Sequence, residues 1–427
     1  MTTLRSRIVG WVGRKYFARK QKQGFDLSKM PLSDETLLPL KRDGLDPVPQ
    51  LAATREREPV SRLPLPFGMR AWLVSGYDEA KAVLSDVKSF SNDFSNLVGE
   101  AGVSADKNPG GLGFADPPDH TRMRKILTPE FTVRRLQRLT PRIAEIVEQR
   151  LDALQEEYDR TGGPVDLANV FAWPIPSLVI CELLGIPYED RAEFERLSTA
   201  RFDLFAGADA SLGAVSESLN YLHEIVKKQR ESPGDGLLGM IVKEHGDKVD
   251  DWELAGMADG LLTGGLETTA SMVTLGSLVL LRDPESFALV HDDDSAVDGV
   301  VEEMLRYLTV VQVAFPRFAR EDVEVGGKKI ASGDIVLVSL SGADRDGSLG
   351  DDTESFEATR EKSAHLAFGH GVHRCIGAEL GRMELRAAYP ALVRRFPRLR
   401  LAVQPAELTF RELSIVYGVE SLPVYLD

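Results

Sequence analysis

The segment Phe368-Gly369-His370-Gly371-Val372-His373-Arg374-Cys375-Ile376-Gly377 constrains this 427-residue chain more than any other. The chain has only two cysteines, and Cys375 stands among glycines that let the backbone bend tightly around a sulfur. Such a loop suits something large and flat pressed against the main chain. Arg374, His373 and a helix starting after Gly377 are expected to favour the thiolate over the thiol. A thiolate so placed can be an axial ligand to haem iron, pushing electron density toward the metal. The loop alone leaves three other readings open. They are a small buried cysteine, a zinc site with His370 and His373, and a nucleophile with a histidine base. Cys181, in the apolar run Leu178-Val179-Ile180-Cys181-Glu182-Leu183-Leu184, reads as a buried hydrophobe.

A second constraint lies in Gly260-Leu261-Leu262-Thr263-Gly264-Gly265-Leu266-Glu267-Thr268-Thr269. It falls inside a helical pattern running from about Asp250 to Arg282, started by two aspartates and stopped by Asp283-Pro284. Such a helix would be roughly 45 Å long at 1.5 Å per residue and would cross a whole domain. Gly264 and Gly265 in its middle cost about 1 kcal/mol each relative to alanine, so something must offset them. A ring lying close to the backbone would do so, with a local opening of the helical ladder beside it. Glu267 and Thr268, an acid followed by an alcohol, would then sit next to the opening and pass protons to dioxygen. The competing reading is a helix crossing at small residues, with Thr268 bonding back to its own backbone.

A third segment, Val301-Glu302-Glu303-Met304-Leu305-Arg306-Tyr307, places Glu303 and Arg306 three apart on one helical face among apolar neighbours. A buried ion pair there would fix geometry more than it adds stability.

Together these segments resemble the cytochrome P450 family. Phe368 through Arg382 is similar to the family's cysteine loop, Gly264 to Thr268 to its oxygen-binding groove, and Glu303 to Arg306 to its Glu-x-x-Arg pair. The resemblance runs from about Asp43 to the C-terminus. It implies a mainly α fold with a small β subregion and a long central helix over a heme b. It also implies Cys375 as the iron ligand, O2 as co-substrate, and electrons from NAD(P)H through an external ferredoxin (or flavodoxin) and its reductase. By the same resemblance His120 and Arg124, on one face of a helix, and Arg317 and His373 hold the haem propionates. Gly264 and Gly265 line the groove, and Glu267 and Thr268 deliver protons. Val323 to Ile330 alternates like a strand pair turning at Gly326-Gly327.

The chain departs from the family where Asp344 stands in place of a usual asparagine and Ser355 in place of an arginine that completes a triad with Glu303 and Arg306. Arg360 and Arg345 are the candidates for that third partner. Ala331 replaces a frequent proline.

Composition fits a large folded enzyme, at 43% hydrophobic and 27% charged. Residues 43–427 show no linker or repeat and are expected to form one domain. Residues 1–42 read as a basic extension, with seven Lys/Arg and no acid in the first 24. That extension is expected to be a weakly ordered terminus, with weak peripheral membrane contact as the alternative. A net charge of −15 argues against nucleic acid as a partner. Two cysteines imply a reducing, cytoplasmic setting, and no apolar run of about 20 residues suggests a membrane span. A monomer is expected. Arg122, Arg124, Lys125, Arg134 and Arg135 form a cationic cluster suited to an acidic ferredoxin.

The expected reaction is insertion of one oxygen atom into a C–H bond of a hydrophobic small molecule. The apolar run Val310 to Phe315 would line its pocket together with residues 92–115 and 202–213. A fatty acid or related lipid is the first choice, with Arg201 as a candidate carboxylate contact. A terpenoid or polyketide of secondary metabolism, or a non-oxygenating isomerase or binding protein, is the alternative.

Overall fold

A computed structural model describes residues 32–65, 69–93, 111–186, 208–361 and 364–427. The helices that position the site are α1 (Asp119–Leu127), α2 (Thr140–Thr161), α3 (Pro174–Leu184), α4 (Ala208–Glu231), α5 (Asp251–Arg282), α6 (Val297–Leu308) and α7 (Ala378–Arg395). A five-stranded sheet runs in the order β1 (Val60–Pro64), β2 (Arg70–Val74), β7 (Ile335–Val338), β4 (Arg317–Ala319), β3 (Phe90–Ser91). Its single parallel pairing is β2 with β7, in the register Ala71 to Ile335. Between β4 and β7 comes the expected hairpin, β5 (Val323–Val325) and β6 (Lys328–Ile330). Its turn needs positive φ twice, and Gly326 (+53°) and Gly327 (+72°) supply it.

Helix α5 is the axis of the molecule. Asp250 accepts the Glu253 N–H at 2.8 Å to start it, and Asp283 ends it while capping the next helix. Its 32 residues span about 48 Å. Apolar residues cover it on nearly every side, and α3, α4, α6 and α7 pack on it, with α2 against α3 and α7. It is long and apolar enough to cross a membrane, yet it is enclosed by the body of the protein. One close approach explains a glycine. Tyr389 of α7 donates to the Met272 carbonyl at 2.6 Å, and a Cβ on Gly276 would occupy the place of that phenol.

The expected break at Gly264-Gly265 is absent, because α5 runs through the pair as continuous helix. Thr268 Oγ1 donates to the Gly264 carbonyl at 2.7 Å, the back-bonding arrangement that was the competing reading. The first 31 residues of the basic extension lie outside the described residues. Past them the chain is already part of the body: Thr36 donates to the Pro64 carbonyl, and Arg42 Nε donates to Gln312 Oε1 at 2.9 Å.

The pair Glu303–Arg306 is buried, with bonds of 2.7 and 2.8 Å. Its third partner is Arg360, whose Nε reaches Glu303 Oε1 at 3.1 Å. Arg345 instead stacks on Tyr307 and donates to Asp46 at 3.0 Å. Arg306 spends its remaining donors on the carbonyls of Asp344 (2.9 Å), Thr353 (2.7 Å) and Ser355 (2.8 Å). At Ser355, then, it is the backbone that joins the cluster.

Asp344 is wholly buried, accepting from the Leu366 N–H at 2.6 Å and from Thr309 Oγ1 at 2.8 Å. Burial outweighs these bonds, the His365 imidazole and the Arg306 charge, and pushes its carboxyl up to about 6. The folded state therefore holds this proton more tightly than the unfolded chain. Its contribution is favourable at low pH and is lost as pH rises through about 4 to 6. Asp344→Asn keeps the acceptor for Leu366 and removes the buried charge. Thermal melts at about pH 8 should show the variant more stable, on the order of 1–3 kcal/mol. The gain should vanish below about pH 4; a variant less stable than the parent at the higher pH contradicts this account.

Candidate functional site

The cysteine loop is gripped on both flanks by one side chain. Glu302 of α6 accepts from Arg382 at 2.5 and 2.9 Å, and His365 Nε2 lies 3.2 Å from it. Although burial opposes it, Arg382 and His365 hold the Glu302 carboxyl far below the usual carboxylate range. Arg382 also lies over the Phe368 ring, 4.6 Å from its centre. Within the loop the Cys375 N–H donates to the Phe368 carbonyl at 2.8 Å. Gly369 and Gly371 take φ of +66° and +72°. A Cβ on Gly371 would meet Ser85 Cα at 3.0 Å, so glycine is also what lets the loop approach the helix Tyr77–Ser85.

Cys375 is exposed at the end of the loop, with the atoms of the surrounding protein crowded around it. Burial raises the thiol, opposed by the Gly377 N–H and by Arg124, Arg374 and Arg382. The thiolate expected from the sequence is therefore not a property of the loop alone: desolvation outweighs the three cations. Coordination to a metal ion removes that proton outright. His373 turns to His120, and among the described residues no group of three or more His, Cys, Asp or Glu side chains could hold a metal ion. The zinc arrangement is not formed. Cys181 is buried in the core.

Beside the sulfur lies a pocket of two imidazoles and two guanidiniums. His120 and Arg317 are buried, and the His120 ring packs 4.2 Å from that of His373. Burial, then His120 and Arg317, push His373 down to about 3. Burial and Arg124 lower His120, and burial brings Arg317 down to about 10. Both ring nitrogens of buried His120 have no hydrogen-bond partner. The nearby acid, Asp116, is engaged by Ser91, the Asn92 N–H and Arg320. Burial depresses all four basic groups, and His120 keeps two unpartnered ring nitrogens, so the pocket fits a dianionic ligand. Arg124 is turned slightly aside, donating to the Arg374 carbonyl at 2.8 Å. The site thus fits a haem: Cys375 would supply the sulfur ligand, and His120, Arg124, Arg317 and His373 would meet its carboxylates.

On the other side stands α5. A Cβ added at Gly264 would meet nothing within 4 Å, whereas one at Gly265 would touch Ile180 at 3.4 Å. Thr268 shares the open face of Gly264. Glu267 does not, because successive residues are about 100° apart around a helix. It is buried and ion-paired with Arg411, which also donates to Ser271 Oγ at 2.7 Å. The acid and alcohol expected side by side are on different faces. Arg411 escaped sequence reasoning because it joins α5 from 144 residues away. The role of Glu302 is not legible from sequence either, since its partners His365 and Arg382 flank the cysteine loop and share no local pattern with it.

The apolar wall is aromatic. Phe114, on a short turn packed against α5, meets Phe315 at 4.7 Å between ring centres. Gln312 turns away, donating to the carbonyls of Leu40 (3.2 Å) and Ser414 (2.7 Å), so the run Val310 to Phe315 presents apolar groups. Arg201, residues 202–207 and most of 92–110 lie outside the described residues.

The family model "Cytochrome P450" matches residues 59–231 and 216–407. The chain is 41% identical over 393 residues to cytochrome P450 FAS1 of Rhodococcoides fascians, covering 90% of this chain and 97% of that one. It is also similar to the solved structure of P450 StaH from glycopeptide antibiotic A47934 biosynthesis, at TM-score 0.79 and 40% identity, covering 91% and 100% of the two chains. OxyC, implicated in an oxidative C–C coupling reaction during vancomycin biosynthesis, matches at TM-score 0.80 and 38% identity, covering 90% and 96%. The chain therefore belongs to the cytochrome P450 family, the haem-dependent monooxygenases that use O2 and electrons from external redox partners.

Proposed function

We propose that this protein is a cytoplasmic monooxygenase of secondary metabolism that oxidises a molecule bearing an aromatic ring. The observation that carries the reading is the placement of one accessible sulfur, Cys375, beside a pocket of two imidazoles and two guanidiniums in which His120 and Arg317 are buried, with the Gly264–Thr268 face of α5 completing the site. Cys375 would hold the iron, while His120, Arg124, Arg317 and His373 would bind the propionates. Haem, when bound, supplies the activation of O2. Gly264 admits a flat ring to the helix, and the Thr268 hydroxyl, now on the Gly264 carbonyl, is the group on the open face that can hand on a proton. Glu267 reaches that face only by leaving Arg411.

The fatty acid expected first from the sequence gives way to the alternative. The Phe114–Phe315 pair offers ring faces and edges suited to aromatic contact. Both solved relatives belong to antibiotic biosynthesis. Ligand-induced spin-state titrations across aromatic peptides, polyketides and saturated fatty acids test this. Aromatic ligands should bind tightest and lose affinity in Phe315→Ala; tighter binding of a saturated fatty acid would sink the assignment.

Electrons would come from a ferredoxin docking on the cysteine side. Arg122 is withdrawn to Glu253 and Arg124 to the Arg374 carbonyl, while Lys125, Arg134 and Arg374 are exposed. Lys125→Glu with Arg134→Glu should slow reduction by an acidic ferredoxin, most at low ionic strength. Stopped-flow reduction rates equal to the parent's at low salt would move the docking face elsewhere.

A further inference from the structure

The basic extension ends as a brace behind the pocket wall. Arg42, its last residue, lies in a tight turn in which Arg42 and Asp43 pair with Pro47 and Asp46. Arg42 Nη2 donates to the carbonyls of Leu308 (2.7 Å) and Thr309 (3.0 Å), Nη1 to that of Leu45 (2.9 Å), and Nε to Gln312 Oε1 (2.9 Å). Leu308 and Thr309 close α6, where carbonyls are left without N–H partners and a cation is favoured. The flat fork of an arginine reaches both and the glutamine at once, which the single ammonium of a lysine cannot match. The Tyr417 ring covers the guanidinium at 4.7 Å. Gln312 is wholly buried and carries the hold onward, to the carbonyls of Leu40 (3.2 Å) and Ser414 (2.7 Å). Thr309, where α6 turns into the wall, has φ of +33°. A β-branched residue takes that left-handed conformation only where its surroundings hold it.

The wall is extended where Val311 bridges Val416 and Val313 bridges Ser339. Side chains alternate along such a run, so Gln312 and Ala314 share one face and Val313 and Phe315 the other. Ala314 packs on the apolar cluster around the sheet, while Phe315 is exposed and meets Phe114. A hold on Gln312 from behind therefore sets where Val313 and Phe315 stand. We propose that Arg42 is a positioning residue for substrate selection, acting through Gln312 and the end of α6 to set how far the Val313–Phe315 face projects over the site. The guanidinium touches no substrate and moves no proton. Without it, Gln312 Oε1 and the Leu308 and Thr309 carbonyls lose their donor, and Thr309 relaxes toward an ordinary backbone conformation, carrying the wall with it. The pocket then fits an aromatic ring less closely, while Cys375 and the α5 face stay as they are.

The inference rests on the reading of an aromatic wall given above, and a pair of iron-binding probes separates the two. Imidazole reports access to the iron alone, whereas 4-phenylimidazole adds a ring that must find room against the wall. The holoenzyme, Arg42→Lys, Arg42→Met, Gln312→Met and the double Arg42→Met/Gln312→Met variant are titrated with both probes by difference absorption spectra. Arg42→Met should weaken 4-phenylimidazole about tenfold and leave imidazole within about twofold of the parent. Arg42→Lys keeps the charge without the fork and should fall between the two. The losses of the single variants should be less than additive in the double variant, because the two side chains are bonded to each other. A parent that prefers saturated fatty acids would sink the aromatic-substrate assignment and leave this comparison intact, since neither probe is a substrate. If Arg42→Met does not fold, Gln312→Met breaks the same brace from the wall side and should give the same split between the probes. Equal losses for both probes, which a merely structural role would give, or 4-phenylimidazole binding as tight as the parent's in a folded variant, would overturn the proposal.

Discussion

Two adjacent carboxylates on α6, Glu302 and Glu303, hold the cysteine loop in place, and the site depends on them. Glu303 works through Arg306 and Arg360 to fasten the irregular segment 344–360 that leads into the loop. Glu302 takes hold on both sides of Cys375, at His365 and at Arg382. Neighbouring residues on a helix point about 100° apart, so one turn of α6 can serve two structures at once. Buried ion pairs of this kind add little net stability, but losing one partner strands a charge, which makes the geometry hard to vary. The cysteine loop is thereby tied to α6 on both of its flanks.

The site's electrostatics make sense only with a bound anion. Burial depresses His373, His120 and Arg317, and His120 and Arg317 depress His373 further; the one acid beside them, Asp116, relieves them only in part. The same burial raises Cys375. A polypeptide that holds four cation-forming groups and one thiol in unfavourable states is arranged for a ligand that corrects all of them: carboxylates for the cations, a metal for the sulfur.

Much of this was legible in the sequence because the signals are local. The loop glycines, the hairpin Gly326-Gly327, the caps Asp250 and Asp283 and the spacing of Glu303 and Arg306 each act within a few residues. What could not be read depends on contacts distant in sequence. Arg360 replacing the missing arginine at Ser355, the Glu302 clamp and the Arg411–Glu267 pair all need the folded chain. Glu267 and Thr268 are adjacent along the chain but not in space, because a helix sends neighbours to different faces. The helix break at Gly264-Gly265 failed for a related reason, since the Thr268 hydroxyl satisfies the Gly264 carbonyl without any opening of α5.

The central claim is that Cys375 binds haem iron as a thiolate, and the absorption spectrum of the dithionite-reduced protein with carbon monoxide tests it most directly. A strongly red-shifted Soret band, lost in Cys375→Ser while helix content is kept, is the predicted result. A haem spectrum of the histidine-ligated type in the parent, or an unchanged red-shifted band in Cys375→Ser, would contradict it.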